Sequence, residues 1–262
     1  MTTLYQTLGL EGGGVVSIVG AGGKTSLMFR VAHELRDRRE PVLTTTTTKI
    51  MMPTATQCRH VILATSVPAL VDRAAELLKK SCHLCAASPR EPEHEGKIIG
   101  FRPDCITDIW RCGIFRWIIV EADGALQKPL KVPAAHEPVI PASSSWVIGV
   151  VGLTAIGKPL SSEWVFRHER YAAITGLALG RPVTVDSLVT AILHPEGLFK
   201  GSPPRAEKVI FLNAVGKPRL QAMGGRLAQK TLAQAAGQNI RRVVVGSPLN
   251  EASRIDCYGH GE

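Results

Sequence analysis

Residues 15–26 read VVSIVGAGGKTS. A β-branched apolar run, Val15 to Val19, enters a glycine cluster at Gly20, Gly22 and Gly23, and Lys24, Thr25 and Ser26 follow. After Lys24 the apolar residues Leu27, Met28, Val31, Ala32 and Leu35 recur at three- and four-residue spacing. Arg30, Glu34, Asp37 and Arg38 fall on the other side, a helical period that ends before Pro41. Strand, glycine turn and helix in this order form the layout of a phosphate-binding loop. Glycines accept the φ values that turn successive N–H groups inward, and the helix N-terminus adds partial positive charge. The lysine reaches terminal phosphates, and the threonine hydroxyl can hold Mg²⁺. Gly20, Ala21, Gly22, Gly23, Lys24, Thr25 and Ser26 are therefore candidate nucleotide contacts, with Lys24 also catalytic and Thr25 also a metal ligand.

Outward from this loop, short β-branched runs alternate with amphipathic segments, the pattern of an α/β protein on a mostly parallel sheet. Strands are expected at Val15 to Val19, Val42 to Thr46, His60 to Leu63, Cys82 to Ala86, Trp117 to Glu121, Trp146 to Val151, Val209 to Leu212 and Arg242 to Val245. Further helices are expected at Val67 to Lys80, Trp164 to Gly176, Val185 to Leu193 and Arg219 to Ala236. The expected fold is a three-layer, P-loop NTPase-like α/β domain covering residues 1–262, with a small subdomain or insertion around 81–112. Pro89 to Glu95 and Gly201 to Arg205 read as polar, turn-rich loops.

Of the 262 residues 45% are apolar and 20% charged, which excludes a disordered chain. Aromatic residues are only 5%, too few for a base-stacking surface, so no nucleic-acid partner is expected despite a net charge of +9. The start MTTLYQTLGL lacks the cationic segment of a signal peptide, and the longest uncharged stretch, Pro138 to Gly157, contains Pro141 and three serines. A cytoplasmic protein without membrane association is expected. Cys82 and Cys85 form a CxxC, but in an apolar strand, where residues three apart face opposite ways, so buried free cysteines are expected in preference to zinc.

Two further stretches carry chemistry. VLTTTTTKI places Thr44 to Thr48 before Lys49. In an extended segment alternate hydroxyls share a face, so either Thr44, Thr46 and Thr48 or Thr45 and Thr47 could point to the phosphate site; Thr45, Thr46 and Thr47 are candidate nucleotide contacts and Thr46 a candidate metal ligand. WIIVEADGALQKPLKVPAAHEPVIP ends a hydrophobic strand in Glu121, with Asp123 two residues on, at the position of a Walker-B acid. Glu121 and Asp123 are candidate Mg²⁺ ligands and catalytic groups, followed in one loop by Lys128, Lys131 and His136 as two cations and a proton carrier. Asn213, a further candidate nucleotide contact, follows a buried strand where guanine-reading proteins carry Asn-Lys-x-Asp, but Ala214 and Gly216 replace the lysine and aspartate. Arg167, His168, Glu169 and Arg170 read as a solvated face in preference to an arginine finger.

The loop departs from GxxxxGK[ST], because Ile18 stands five residues before Gly23. It is similar to the VTGTNGKTT loop of the ATP-dependent Mur ligases, where that position is also aliphatic. The whole series VGAGGKTSLMFRVAHEL, VLTTTTTKI, EGKIIGF, IIVEADGALQKPLKVPAAHEPVIP, VFRHERYAAITG, HPEGLFKG and VIFLN resembles the YqeC family across about residues 13 to 247. Ala214 departs from the Asn-Lys usual there. The resemblance implies an accessory role in maturing selenium-dependent molybdenum hydroxylases, with a hydroxylase or its cofactor intermediate as partner. ATP or another NTP and Mg²⁺ are the expected cofactors. Three readings stand open: NTP hydrolysis with phosphoryl or nucleotidyl transfer, an ATP-dependent ligase forming an acyl phosphate, and a non-catalytic nucleotide-gated chaperone.

Without the carboxylate two residues beyond Ala214, ATP is expected to bind at least as well as GTP. Calorimetric titrations check this; GTP tighter by tenfold, about 1.4 kcal/mol, would overturn it.

Overall fold

The computed structural model describes residues 2–89, 96–249 and 254–259. In chain order the strands are β1 (Gly14–Gly20), β2 (Val42–Thr46), β3 (Lys49–Met51), β4 (Val61–Leu63), β5 (His83–Ala87), β6 (Lys97–Ile99), β7 (Trp117–Glu121), β8 (Leu130–Lys131), β9 (Ser144–Gly152), β10 (Val165–Phe166), β11 (Glu207–Asn213), β12 (Ile240–Gly246) and β13 (Asp256–Gly259). The helices are α1 (Leu4–Thr7), α2 (Lys24–Asp37), α3 (Val67–Leu78), α4 (Pro103–Arg111), α5 (His168–Thr175), α6 (Val185–Leu193) and α7 (Pro218–Gln234). Nine strands form one sheet in the order β13-β12-β11-β9-β1-β7-β2-β5-β4, parallel throughout except for the edge strand β13. Every residue of β1, β2, β5 and β7 is buried, which is why these strands read as apolar runs and not as alternations.

Side chains alternate across β1. Val16 and Ile18 join Leu27, Met28 and Val31 of α2 on one face, together with Phe211 and Val244. Val15 packs with Leu70 and Ala74 of α3 and Ile106 and Ile109 of α4, while Val19 belongs to the cluster containing Leu188 of α6 and Leu227 of α7. Helices thus cover both faces in three layers. From β1 the chain runs through α2 to β2 on one side, whereas β9, β11 and β12 extend the sheet on the other. The switch point therefore lies at β1, whose carboxyl end carries the glycine cluster, and ligands of open α/β sheets collect at such a crevice.

All eight expected strands form, with end shifts of a few residues. The expected helix from Trp164 differs: Val165 and Phe166 pair with Leu130 and Lys131 as β10, and Arg167, at φ 61°, turns the chain so that α5 starts at His168. Helix α4 was not anticipated, although Pro103 at its start, Asp104 in its first turn and Arg111 in its last are ordinary helix signals. The stretch 81–112 supplies β5 to the main sheet, β6 to a ribbon with β3, and α4 against α3. Of the turn-rich loop at 89–95, residues 90–95 lie outside the described residues. No helix among the described residues is long and apolar enough to cross a membrane.

Leu27 is fully buried under β1, whereas Leu63 at the sheet edge is 44% exposed. Leu27→Ala should lower the unfolding free energy by about 2 to 5 kcal/mol, and Leu63→Ala by no more than about 0.5 kcal/mol. Urea denaturation of both variants checks the assignment of inside and outside.

Candidate functional site

The loop between β1 and α2 is fixed by its surroundings on all sides. Gly22 and Gly23 have φ of 83° and 129°, values that side-chain-bearing residues avoid. A Cβ on Gly22 would lie 2.7 Å from the Gly152 Cα and the Pro129 carbonyl oxygen; on Gly23 it would lie 2.6 Å from Asn213 Nδ2. The Asn213 amide donates to the Gly22 carbonyl at 2.7 Å, and its oxygen accepts the Val215 N–H at 3.0 Å. Asn213 thus clamps the loop and turns the chain after β11, so both ends of its amide are engaged.

Register brings the acids to the loop. Ile18 of β1 lies beside Glu121 of β7, so the chain leaving β7 delivers Asp123 next to Gly20. The Gly20 N–H donates to Asp123 Oδ2 at 3.0 Å, and the Thr25 hydroxyl donates to Glu121 Oε2 at 2.7 Å. Lys24, only 4% exposed, donates to the Gly20 carbonyl at 2.7 Å and lies 3.1 Å from Asp123 and 3.8 Å from Glu121. Burial raises the Glu121 pKa, and the nearby Asp123 adds to this; Lys24 and the Thr25 hydroxyl oppose it.

Asp123 is shared between two lysines. Lys131 of β8 lies 3.0 Å from Asp123 Oδ2 and donates to the Gly124 carbonyl and to Glu137. Glu137 in turn accepts from Arg167 at 2.6 Å, and the Arg167 guanidinium lies 4.2 Å above the Phe166 ring. Burial alone would raise the Glu137 pKa, but the hydrogen bonds and charges of Arg167 and Lys131 outweigh it and hold the carboxyl at about 2. The result is a chain of alternating charge, Glu121, Lys24, Asp123, Lys131, Glu137 and Arg167, running from the glycine loop to the start of α5.

Lys24, Thr25, Glu121, Asp123 and Lys131 therefore meet at one place. The threonine run divides: the Thr45 hydroxyl donates to the Ala86 carbonyl of β5, Thr46 to the Glu121 carbonyl and Thr47 to the Val139 carbonyl. The Thr46 hydroxyl and the Thr47 N–H both reach the Glu121 carbonyl, whereas the Thr45 hydroxyl is spent within the sheet. Lys128 is half-buried in a turn closed by its N–H on the Ala125 carbonyl, and His136 is exposed. Neither belongs to the ion chain. The reading of Arg167 as part of a solvated face is corrected by its bond to Glu137. Both Glu137 and Arg167 stand inside quoted motifs, but 30 residues separate them, and no local spacing signals the pair. Of the cysteines only Cys58 and Cys85 are buried, with the Cys85 thiol pushed up to about 12, chiefly by burial; Cys112 and Cys257 are exposed. Among the described residues no group of three or more His, Cys, Asp or Glu could hold a metal ion by itself.

A family model described as "YqeC protein" matches residues 16–169, a span holding the glycine loop, both acids, Lys131, Glu137 and Arg167. The chain is also similar to "Uncharacterized protein YqeC" of Escherichia coli (strain K12). The two are 36% identical over 225 residues, covering 86% of this chain and 83% of the relative.

Glu137 has an ordinary value of 4.5 and a folded value of about 2. A depressed carboxyl contributes stability that is present above the unfolded pKa and lost as pH falls through the folded one. The stability gap between wild type and Glu137→Gln should thus be flat above about pH 6 and narrow as pH falls from about 5 toward 3. Urea titrations at several pH values read this, and a gap independent of pH would contradict the ion chain.

Proposed function

The chain belongs to the YqeC family, and we propose that it is a P-loop protein that uses ATP and Mg²⁺ for phosphoryl or nucleotidyl transfer in maturing a selenium-dependent molybdenum hydroxylase. The observation that carries the nucleotide reading is the position of Lys24. It stands at the first turn of α2, buried, bonded to the Gly20 carbonyl and paired with Asp123, with the Thr25 hydroxyl on Glu121 beside it. The maturation role is supported by the resemblance of the full motif series to that family.

The donor set suits a hard cation, since Thr25, Glu121 and Asp123 offer only oxygen. Asp123 Oδ1 is buried and accepts no hydrogen bond, although it lies 3.1 Å from the Lys24 ammonium, so it has capacity for a further cationic neighbour. When bound, ATP and Mg²⁺ supply an activated phosphoryl group whose oxygens the metal neutralises. Lys24 would then exchange Asp123 for a phosphate oxygen. Lys131, held by Gly124 and Glu137, keeps Asp123 paired during that exchange and prevents an uncompensated buried carboxylate. Gly22 and Gly23 hold the loop amides in the left-handed turn that an anion requires.

Lys24→Ala should lower Mg²⁺-dependent turnover of ATP by at least about a hundredfold. The fold should survive, because Asp123 stays paired with Lys131 and Glu121, already raised in pKa, can take a proton. Asp123→Asn should bind metal-free ATP as well as wild type or better, yet lose turnover in Mg²⁺ by at least about a hundredfold. Phosphorus NMR of products with circular dichroism of each variant tests this, and normal turnover in folded Lys24→Ala would sink the assignment.

A further inference from the structure

A cavity of about 500 Å³ opens between the start of α7 and the edge strand β13, lined by Lys217, Pro218, Gln221, Arg254, Asp256 and Tyr258. Its volume falls within the range of small-molecule sites. It lies at the carboxyl end of β12, where Asp256 pairs with Val245, on the same edge of the sheet as the glycine loop at the end of β1. Its floor is tied to the sheet: the Gln221 amide donates to the Val245 carbonyl at 3.0 Å and to Asp256 at 2.8 Å, and Arg254 donates to the other Asp256 oxygen at 2.6 Å.

The cavity is joined to the glycine loop by a short, fully specified path. Gly22 accepts from Asn213, Asn213 accepts from the Val215 N–H, and Gly216 and Lys217 follow as cavity wall. Pro248, beyond β12, lies within contact range of the position a Gly23 Cβ would take. Val215 is held at φ 46° and is 41% exposed, a left-handed conformation that a β-branched residue rarely adopts. Val215 thus stands exposed between the glycine loop and the cavity wall.

We propose that the α7–β13 cavity is the nucleoside subsite of this protein, taking the base and ribose of the nucleotide whose phosphates lie on the Gly20 to Thr25 loop. The inference rests on the nucleotide reading above and deepens it. The chemistry of the walls matches a nucleoside: Tyr258 offers an aromatic face, Pro218 an apolar one, Lys217 and the outer Arg254 nitrogens offer donors, and the Gln221 amide oxygen offers an acceptor to ring nitrogens and hydroxyls. Asn213, both ends of whose amide are engaged, serves as the hinge pin between the two subsites and not as a reader of the base.

The test compares Mg·ATP with Mg·tripolyphosphate, which has the phosphates and lacks the nucleoside, by calorimetry on the full chain. Wild type should bind ATP at least tenfold more tightly than tripolyphosphate. Ala222→Trp, which puts an indole into the cavity from an exposed position on α7, should weaken ATP at least tenfold and leave tripolyphosphate within twofold. Lys217→Glu, also at an exposed position, should weaken ATP in the same direction, and retained tripolyphosphate binding reports that each variant is folded. ATP affinity unchanged in both variants would overturn the subsite while leaving the phosphate loop intact. If instead Lys24→Ala binds both ligands like wild type, or wild type binds neither, the phosphate-loop reading fails and the subsite with it.

Discussion

The Asp123 carboxylate, shared between Lys24 and Lys131, is the constraint around which the site is organised. Its side chain is 2% exposed, and the two lysine side chains are 4% and 1% exposed. Taking such ions out of water costs several kcal/mol each, and this is offset only where every charge touches an opposite one and every remaining lone pair or proton finds a partner. The chain from Glu121 to Arg167 meets the charge part of that condition by strict alternation of sign, while Asp123 Oδ1 is left without a hydrogen bond. It also ties together elements far apart in sequence: α2, the end of β7, β8 and the turn before α5. Removing one member takes a counter-charge from its neighbours, so the geometry of the loop and that of the 130–137 segment are coupled.

Parallel pairing is what makes the sharing possible. β1 and β7 are adjacent and in register, so both end at the same edge and present Gly20 and Asp123 to one another. β9 and β11 continue the sheet on the other side and bring Gly152 and Asn213 against the glycine loop, where Pro129, just before β8, also meets it. Each close approach depends on the absence of a side chain at Gly22 or Gly23. The loop is therefore shaped from outside as much as by its own torsions, with the Gly20 N–H taken by Asp123 and the Ala21 N–H by the Val150 carbonyl.

The nine-stranded sheet and the six-member ion chain differ in how far they could be read from the chain. The apolar runs at Val15, Val42, Trp117, Val209 and Arg242 and the helical period after Lys24 are local patterns, since burial on both faces of a parallel strand, or on one face of a helix, imposes them on consecutive residues. The Gly-Lys-Thr junction and the Glu121, Asp123 pair are legible for the same reason: each ends a strand and needs only its own neighbours to be recognised. The helix expected from Trp164 failed at its first turn because pairing of Val165 with Leu130 and the left-handed Arg167 overrode the local periodicity.

Sequence by itself determined the layered α/β class, the place of the glycine loop on it, the acids at the end of β7, and the family to which the motif series points. Only the tertiary structure decided which polar groups are spent within the fold and which remain for chemistry. Thr45 looks equivalent to Thr46 in a run of five threonines, yet its hydroxyl is consumed by Ala86 because β5 lies on that side of β2. Glu137 and Arg167 look like ordinary surface charges until β8 and β10 pair and bring them within 2.6 Å. The physical reason is that periodicity is dictated by a residue's own strand or helix, whereas a hydrogen bond or ion pair depends on which distant strand the topology sets beside it.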